Sequence, residues 1–443
     1  MKGLARPLEE DWRDALDAVA RSRGWPTSRD VARLAARVVE LSAAYNDPGR
    51  ARAAARDAGA ARLGFSFPRD VPKGAGAVRE LVAAGVLPLD RTLRVLDLGA
   101  GLGATTWGFA RALAAAGFAG AIEATWVDVD EQALELATSI LRARAGREGA
   151  VELRARTRTA AAAASAGVGP FDVVLVGQVL SELDVSSPGD LRRRRHAALL
   201  RSLLDERTEQ GGAIVVIEPA LRDRARHLHR VRDDLAAGGA TIFAPCLHAA
   251  PCPALTRESD WCHEDLAVDL PEWLVPVARA AGLRREGLTF SYLVLHRGPR
   301  RLADAIDARP GAARLRVVSG EIRTKGKLEA FVCGELAGPD RAVAARARLM
   351  RLDRDRTPGN AAWDQAARGD VLVVTPPPKL ERPRITSMSA VAVGVPRPSA
   401  SGDGWAKVSV PGDATASAST NPTRASSETG LLEVSKSGDA ESR

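Results

Sequence analysis

The sequence predicts an α/β fold: a parallel sheet with crossover helices, a helical region before it, a small β-rich module after it, and a disordered tail. Three observations carry this prediction. From Arg94 onward, short apolar runs alternate with helix-like segments, the pattern of parallel strands joined by helices. A glycine-rich turn joins the first apolar run to the helix that follows it. From about Arg300 the alternation gives way to strand-like runs, and past Pro378 the chain becomes rich in Ser, Pro, Gly and Thr. The predicted divisions are 1–90, 91–299, 300–378 and 379–443.

Each element has its own warrant. In "EEDWRDALDAVARSRG", Trp12, Leu16 and Val19 fall near one helical face, and "SRDVARLAARVVELSAAY" repeats the pattern after Ser28, a cap candidate. These helices read as a platform for the next domain. "RVLDLG", "AIEATWVDVD", "FDVVLVGQVL" and "GGAIVVIEP" are buried-strand candidates, with "LTFSYLVLHR" closing the domain. "ARLRVVSGEI", "KLEAFVCGEL" and "DVLVVTPPP" form the β-rich module. The tail has Trp405 as its only aromatic, too little apolar area to offset its ordering entropy.

With 443 residues, 45% of them hydrophobic, the chain can bury a substantial core. The net charge of +8 is compatible with phosphate binding, but in so arginine-rich a composition it carries little weight. "MKGLARPLEEDWRDALDAVA" has no signal-peptide core, and Glu9, Glu10 and Asp11 argue against a transit peptide. No apolar run approaches the ~20 residues needed to span a bilayer. The expected setting is the cytoplasm, without a membrane partner. Thiols stay reduced there, so clustered cysteines suggest metal or catalysis before disulfides.

"VLDLGAGLGATT" is the first chemical signal. Asp97 ends a strand, and Gly99, Gly101 and Gly103 open the turn into a helix whose first N–H groups are free. The spacing G-x-G-x-G, with an acid two positions earlier, resembles motif I of the class I S-adenosylmethionine-dependent methyltransferases rather than a dinucleotide fingerprint. The resemblance implies a Rossmann-like domain binding S-adenosylmethionine. It also implies that an acid at the end of the next strand accepts the ribose hydroxyls. Asp128 matches, with Asp130 as the alternative. Gln178, Ser181 and Glu182 end a later strand where ligands collect in such sheets, and Gln178 joins the candidate cofactor residues. No Asn-Pro-Pro-aromatic or Asp-Pro-Pro-aromatic motif is present, and the sequence names no catalytic base.

The chain has four cysteines, and three of them, Cys246, Cys252 and Cys262, fall in the proline-rich "APCLHAAPCPALTRESDWCHEDL". Cys333 lies far downstream in "KLEAFVCGEL". None forms C-x-x-C, so finger and ribbon spacings do not apply. Four thiolates suit tetrahedral zinc or an iron–sulfur cluster, with His248 and His263 in reserve, and spacing does not choose between them.

The order of "VLDLGAGLGATTWGF", "FDVVLVGQVLSELD", "APCLHAAPCP", "DWCHEDL", "LTFSYLVLHR" and "RLRVVSGEIRTKGKLEAFVCGEL" resembles the methyltransferase-like family of mitochondrial small-ribosomal-subunit assembly factors and their bacterial relatives. The likeness runs from about Leu93 to Val374. It implies that Cys246, Cys252, Cys262 and Cys333 hold a 4Fe–4S cluster joining the methyltransferase-like domain to the β-module. It also implies association with the small ribosomal subunit and its rRNA. Two departures stand out: Leu247 where the family tends to carry proline, and a basic segment after Glu218-Pro219 where it tends to have a glycine-containing turn.

Arg323, Lys325 and Lys327 form a basic turn in the β-module, expected to lie near Cys333 and to contact RNA phosphates. The preferred reading is an iron–sulfur, S-adenosylmethionine-binding protein of ribosome assembly or translation. The alternatives are a zinc-containing rRNA methyltransferase and a non-enzymatic RNA-binding scaffold. Oligomeric state is not legible.

Overall fold

The apolar runs of the central segment all become strands of one sheet. The computed structural model describes residues 2–46, 58–162 and 169–396. Helices α1 (Glu10–Ser22), α2 (Val31–Asn46) and α3 (Phe67–Ala83) come first. The chain then alternates through β1 (Leu93–Leu98), α4 (Ala104–Ala115), β2 (Ala121–Asp128), α5 (Glu131–Ala143), β3 (Arg147–Glu148), β4 (Val151–Thr159) and β5 (Phe171–Gly177). It continues with α6 (Gly189–Ser202), β6 (Thr208–Glu218), α7 (Arg222–Ala237), β7 (Thr241–Ala244), β8 (Glu264–Leu266), α8 (Val275–Ala280) and β9 (Leu288–His296).

Among the described residues this sheet has nine strands, ordered β3-β4-β2-β1-β5-β6-β9-β7, with β8 pairing β9. Strands β4, β2, β1, β5 and β6 are parallel, and β9 runs antiparallel to both of its neighbours β6 and β7. That order is the Rossmann-like arrangement of class I methyltransferases, the predicted fold class. The strand order reverses between β1 and β5, so the crevice beyond their carboxyl ends is where such sheets take ligands.

Both faces of the sheet are covered, which is why the strands read as continuous apolar runs. Val95, Trp107, Ile122 and Val173 belong to one core, and Leu96, Val174, Val216 and Leu228 to the other. Strands β4 and β7 escaped the sequence reading. β4 carries Arg154, Arg156 and Arg158 on a largely uncovered stretch, and β7 has only four residues.

The N-terminal helices are more than a platform. Helix α3 is buried from Gly74 through Val82 and crosses α4 at backbone contact. A Cβ on Gly108 would lie 2.2 Å from the Val71 carbonyl oxygen, and one on Gly74 would lie 2.8 Å from that of Thr105. Ser28 does not cap α2: its N–H and hydroxyl donate to Asp17 at 2.8 and 2.9 Å. Among the described residues, no helix is long and apolar enough to cross a membrane.

The second sheet contains β10 (Ala313–Val317), β11 (Ile322–Thr324), β12 (Lys327–Ala337), β13 (Ala342–Leu352), β14 (Val371–Thr375), β15 (Arg384–Ile385) and β16 (Ala390–Val393). Its order is β15-β13-β12-β10-β14-β16, with β11 pairing β12. Leu315, Val332, Leu349, Trp363 and Val374 form its core. Val391 joins that core and pairs with Val374, so the sheet continues past Pro378, where the sequence suggested the tail would begin. A Ser/Pro-rich composition concealed a short strand with one inward valine. The expected tail beyond residue 396 lies outside the described residues.

Candidate cofactor cleft and cysteine site

The glycine turn leaves β1 at the switch point and enters α4. Gly99, Gly101 and Gly103 have φ of 69°, 52° and 81°, values that side-chain-bearing residues rarely adopt. A Cβ on Gly99 would lie 2.4 Å from Val179 Cγ2, so the turn also needs the missing atom. Asp128, at the end of β2, accepts a hydrogen bond from the Gly101 N–H at 2.7 Å through one oxygen, and from the Asp130 N–H at 2.9 Å through the other. Its carboxylate therefore fastens the turn, and each oxygen retains a lone pair for a ribose hydroxyl. Asp130 caps α5 by accepting from the Ala133 N–H at 3.1 Å, and pairs with Arg62 at 2.8 Å. It is a cap rather than a substitute for Asp128.

Asp97 is fully buried beneath the turn, where one oxygen accepts from the Thr106 hydroxyl at 2.6 Å and its N–H at 3.2 Å. The other oxygen, Oδ1, has no partner. Burial pushes the Asp97 pKa up to about 7 despite the Thr106 bonds. Glu218, at the end of β6, is raised to about 7 by burial as well, while accepting from the N–H groups of Leu180 and Ser181 at 2.8 and 3.1 Å. A carboxyl raised in the fold is protonated in both states below its ordinary value of 3.8. It therefore costs stability progressively from pH ~4 to ~7 and uniformly above that. Asp97→Asn should gain on the wild type by on the order of 4 kcal/mol between pH 4 and 8, measured by urea unfolding at each pH. A difference that does not change with pH would refute the buried-acid account.

Gln178 follows β5 with φ of 60°, and its side-chain amide donates to Asp70 of α3 at 3.2 Å. Asp70 also pairs with Lys73 at 2.7 Å. Against burial, the Lys73 and Arg69 cations bring the Asp70 pKa down to about 2. Gly99, Gly101, Gly103, Asp128 and Gln178 thus lie around the ends of β1, β2 and β5, with Asp97 buried beneath the turn, and Arg62, Asp70, Lys73 and Glu218, which the sequence did not assign, contact this region. The positive-φ glycine turn at the carboxyl end of β1, with Asp128 bonded to it, fits a small-molecule cofactor lying across the switch point.

The four cysteines come from both sheets, and Cys246, Cys252 and Cys262 lie close enough to Cys333 to act on it electrostatically. Burial, followed by the negative charge its three partners would carry, pushes the Cys333 thiol far above its ordinary pKa. The same two causes raise Cys252, and Cys262 is pushed up to about 11. Three such thiols ionise together only beside a strong positive charge, the condition a metal centre provides.

Their backbones are clasped from several sides. The Asp233 carboxylate accepts from the Cys252 N–H at 3.0 Å, and His229 Nε2 accepts from the Cys262 N–H at 3.1 Å. Arg232 donates to the carbonyls of His248 and Ala250, both at 2.6 Å. In the second sheet Cys333 lies opposite Arg316 on β10 and Arg346 on β13, so the three side chains share one face. Arg316 donates to the Pro245 carbonyl at 2.6 Å, and Arg346 to that of Trp261 at 3.2 Å. The residues that flank Cys333 therefore grip the chain beside Cys246 and Cys262. His248 Nε2 is 3.7 Å from Cys333 Sγ, and His263 stacks on Trp261. Among the described residues, no group of three or more His, Cys, Asp or Glu side chains has the arrangement of a metal site.

The basic turn lies elsewhere than expected. Arg323 and Lys327 pair with Glu321 and Glu329 at 2.8 and 3.1 Å, and Lys325 is exposed at the hairpin tip. Cys333 is six residues along β12 from Lys327, about 20 Å in an extended strand. The cysteine site therefore does not shape that turn directly.

A family profile described as mitochondrial small ribosomal subunit Rsm22 matches residues 84–361. The chain belongs to this family. The Rsm22 segment includes the glycine turn, Asp128, Gln178, all four cysteines and the Arg323–Lys327 hairpin, while Arg62, Asp70 and Lys73 precede it. No curated protein matches the chain in a sequence search. A protein described as a class I S-adenosylmethionine-dependent methyltransferase from Listeria monocytogenes is similar at 15% identity, over 65% of this chain and 87% of its own, with a TM-score of 0.34. An rRNA methylase from Streptococcus thermophilus is similar at 14% identity, over 49% and 92%, with a TM-score of 0.24. The methyltransferase-like assignment of this Rsm22 member stands on its strand order.

Proposed function

We propose that the chain binds S-adenosylmethionine over the glycine turn, carries a 4Fe–4S cluster on Cys246, Cys252, Cys262 and Cys333, and acts in ribosome assembly or translation with the small ribosomal subunit and its rRNA. The family description, which names the small ribosomal subunit, supports the partner. Supporting the cofactor are the three positive-φ glycines with Asp128 fastened beneath them.

Supporting the cluster reading are the electrostatic influence of Cys246, Cys252 and Cys262 on Cys333 across the two sheets and the bonds of Arg232, Arg316 and Arg346 to the chain beside the cysteines. An iron–sulfur cluster bound there would supply the positive charge that lets the thiols ionise, and would tie β12 to the cysteine loop. The three arginines would offset the thiolates' remaining negative charge. Arg323, Lys325 and Lys327 are proposed as phosphate contacts independent of the cluster. The proposed setting is the cytoplasm, where thiols stay reduced.

Anaerobic purification followed by an absorption spectrum and iron, sulfide and zinc analysis tests this reading. A brown protein with a broad band near ~400 nm and about four irons per chain is the expected result. A colourless protein with one zinc would refute the cluster and favour a zinc-containing methyltransferase.

A further inference from the structure

The cofactor residues assigned from the sequence account for a ribose and a turn, but not for the charged end of the ligand. S-adenosylmethionine ends in an α-ammonium and a carboxylate. Asp128 closes β2 on one side of the switch point and Gln178 follows β5 on the other, so a ligand that spans the switch point with its ribose at Asp128 reaches Gln178. What waits there is an ion pair.

Lys73 and Asp70 sit 2.7 Å apart, with side chains only 12% and 15% exposed. The Gln178 amide donates to Asp70 at 3.2 Å. One turn of α3 carries both charges, and that turn is locked onto the start of α4 by the Gly74–Thr105 and Gly108–Val71 backbone contacts. Gly177 is equally close-fitted, since a Cβ there would lie 2.3 Å from Thr105 Oγ1. The pair is thus fixed beside the glycine turn by contacts that leave it little freedom.

We infer that Asp70 and Lys73 form the subsite for the amino-acid end of the cofactor, with Lys73 facing the carboxylate and Asp70 the ammonium. The assignment rests on the cofactor reading above and extends it to the helical region that precedes the matched family segment. A zwitterion presents its two charges side by side, and a neighbouring pair of opposite charges complements both at once. Helix α3 therefore completes the cleft instead of merely supporting it. The surrounding charges agree: Arg69 lies 3.3 Å from Asp70, leaving the subsite with a cationic excess suited to a carboxylate.

The test is calorimetric titration of the full chain with S-adenosylhomocysteine and with methylthioadenosine, which keeps the nucleoside and lacks the amino-acid end. The wild type should prefer S-adenosylhomocysteine by at least about tenfold, the worth of one charge-assisted hydrogen bond. Lys73→Met and Asp70→Asn should remove that preference and leave methylthioadenosine affinity unchanged. Lys73→Arg should restore most of it. A pair that only staples α3 in place would instead weaken both ligands equally, and that result would overturn the assignment, as would variants with wild-type preference. A wild type that binds neither compound would sink the cofactor reading itself, and this subsite with it.

Discussion

Cys333→Ser is expected to abolish metal retention while leaving the fold intact. Serine is nearly isosteric with cysteine, and residue 333 lies within a ladder held by β10 on one side and β13 on the other. The packing cost of the exchange alone is therefore small. The loss of the fourth thiol is a different matter. Cys246, Cys252 and Cys262 lie between β7 and β8 of the first sheet, whereas Cys333 lies on β12 of the second.

Under the proposed reading the iron content of anaerobically purified Cys333→Ser should fall from about four per chain to less than one. A group that binds only the folded state raises stability by several kcal/mol when tightly held, so the loaded wild type should melt roughly 5–10 °C above the variant. Stripped of metal, wild type and variant should melt together. A large gap between the two stripped proteins would mean that the thiol matters through packing, and would count against ligation. Wild-type iron in the variant would refute the four-thiolate assignment outright.

Much of the fold was legible because its strands are buried on both faces. An uninterrupted apolar run such as "FDVVLVG" has few other uses, and the glycine turn announces itself through residues that only special backbone geometry requires. β4 was illegible because "VELRARTRT" leaves most of its polar side chains uncovered, so its pairing with β2 leaves little trace in the apolar pattern. The cysteines were readable as a set of residue types, but what surrounds the thiols was not. Arg316 and Arg346 are ordinary arginines in an arginine-rich chain until the register places them on either side of Cys333.

The cleft repeats this division. Gly99, Gly101, Gly103 and Asp128 stand in one local motif, whereas Asp70 and Lys73 reach the site only because α3 folds back across α4. The available signal was the charge in "PRDVPKGAGAVRELVAAG". Arg69, Asp70, Lys73, Arg79 and Glu80 interrupt a stretch otherwise made of small and apolar residues, and all five prove to have specific partners. The hairpin went wrong for a related reason. Nearness to Cys333 in sequence was read as nearness in space, and an extended strand separates residues faster than any other element.

The buried half of that charge set should dominate the stability of the assembled chain. Glu80 of α3 is fully buried, forms an ion pair with Arg316 of β10 at 2.7 Å and accepts from the Tyr292 hydroxyl of β9 at 2.8 Å. Its neighbour Arg79 pairs with Glu264 of β8 at 2.5 Å. Burial works against the Glu80 carboxylate, but the Arg316 and Arg79 guanidiniums outweigh it and hold its pKa below the ordinary value. One network therefore fastens the N-terminal helices, the first sheet and the second sheet together. Removing a single member leaves the opposite charge buried and unpaired. Arg316→Met should cost roughly 3–5 kcal/mol in urea unfolding, more than a surface exchange such as Arg323→Met by a wide margin. Replacing both partners, in Glu80→Leu with Arg316→Met, should recover at least about 2 kcal/mol of that loss, because an apolar pair of similar volume has no charge to desolvate. The recovery should be incomplete, since Arg316 also donates to the carbonyls of Pro245 and Gly369, which lose their partner in either variant. Additive losses in the double variant would show that Glu80 and Arg316 do not act as a pair. A cost below about 1 kcal/mol for Arg316→Met would show that the sheets are held together by their apolar contacts alone.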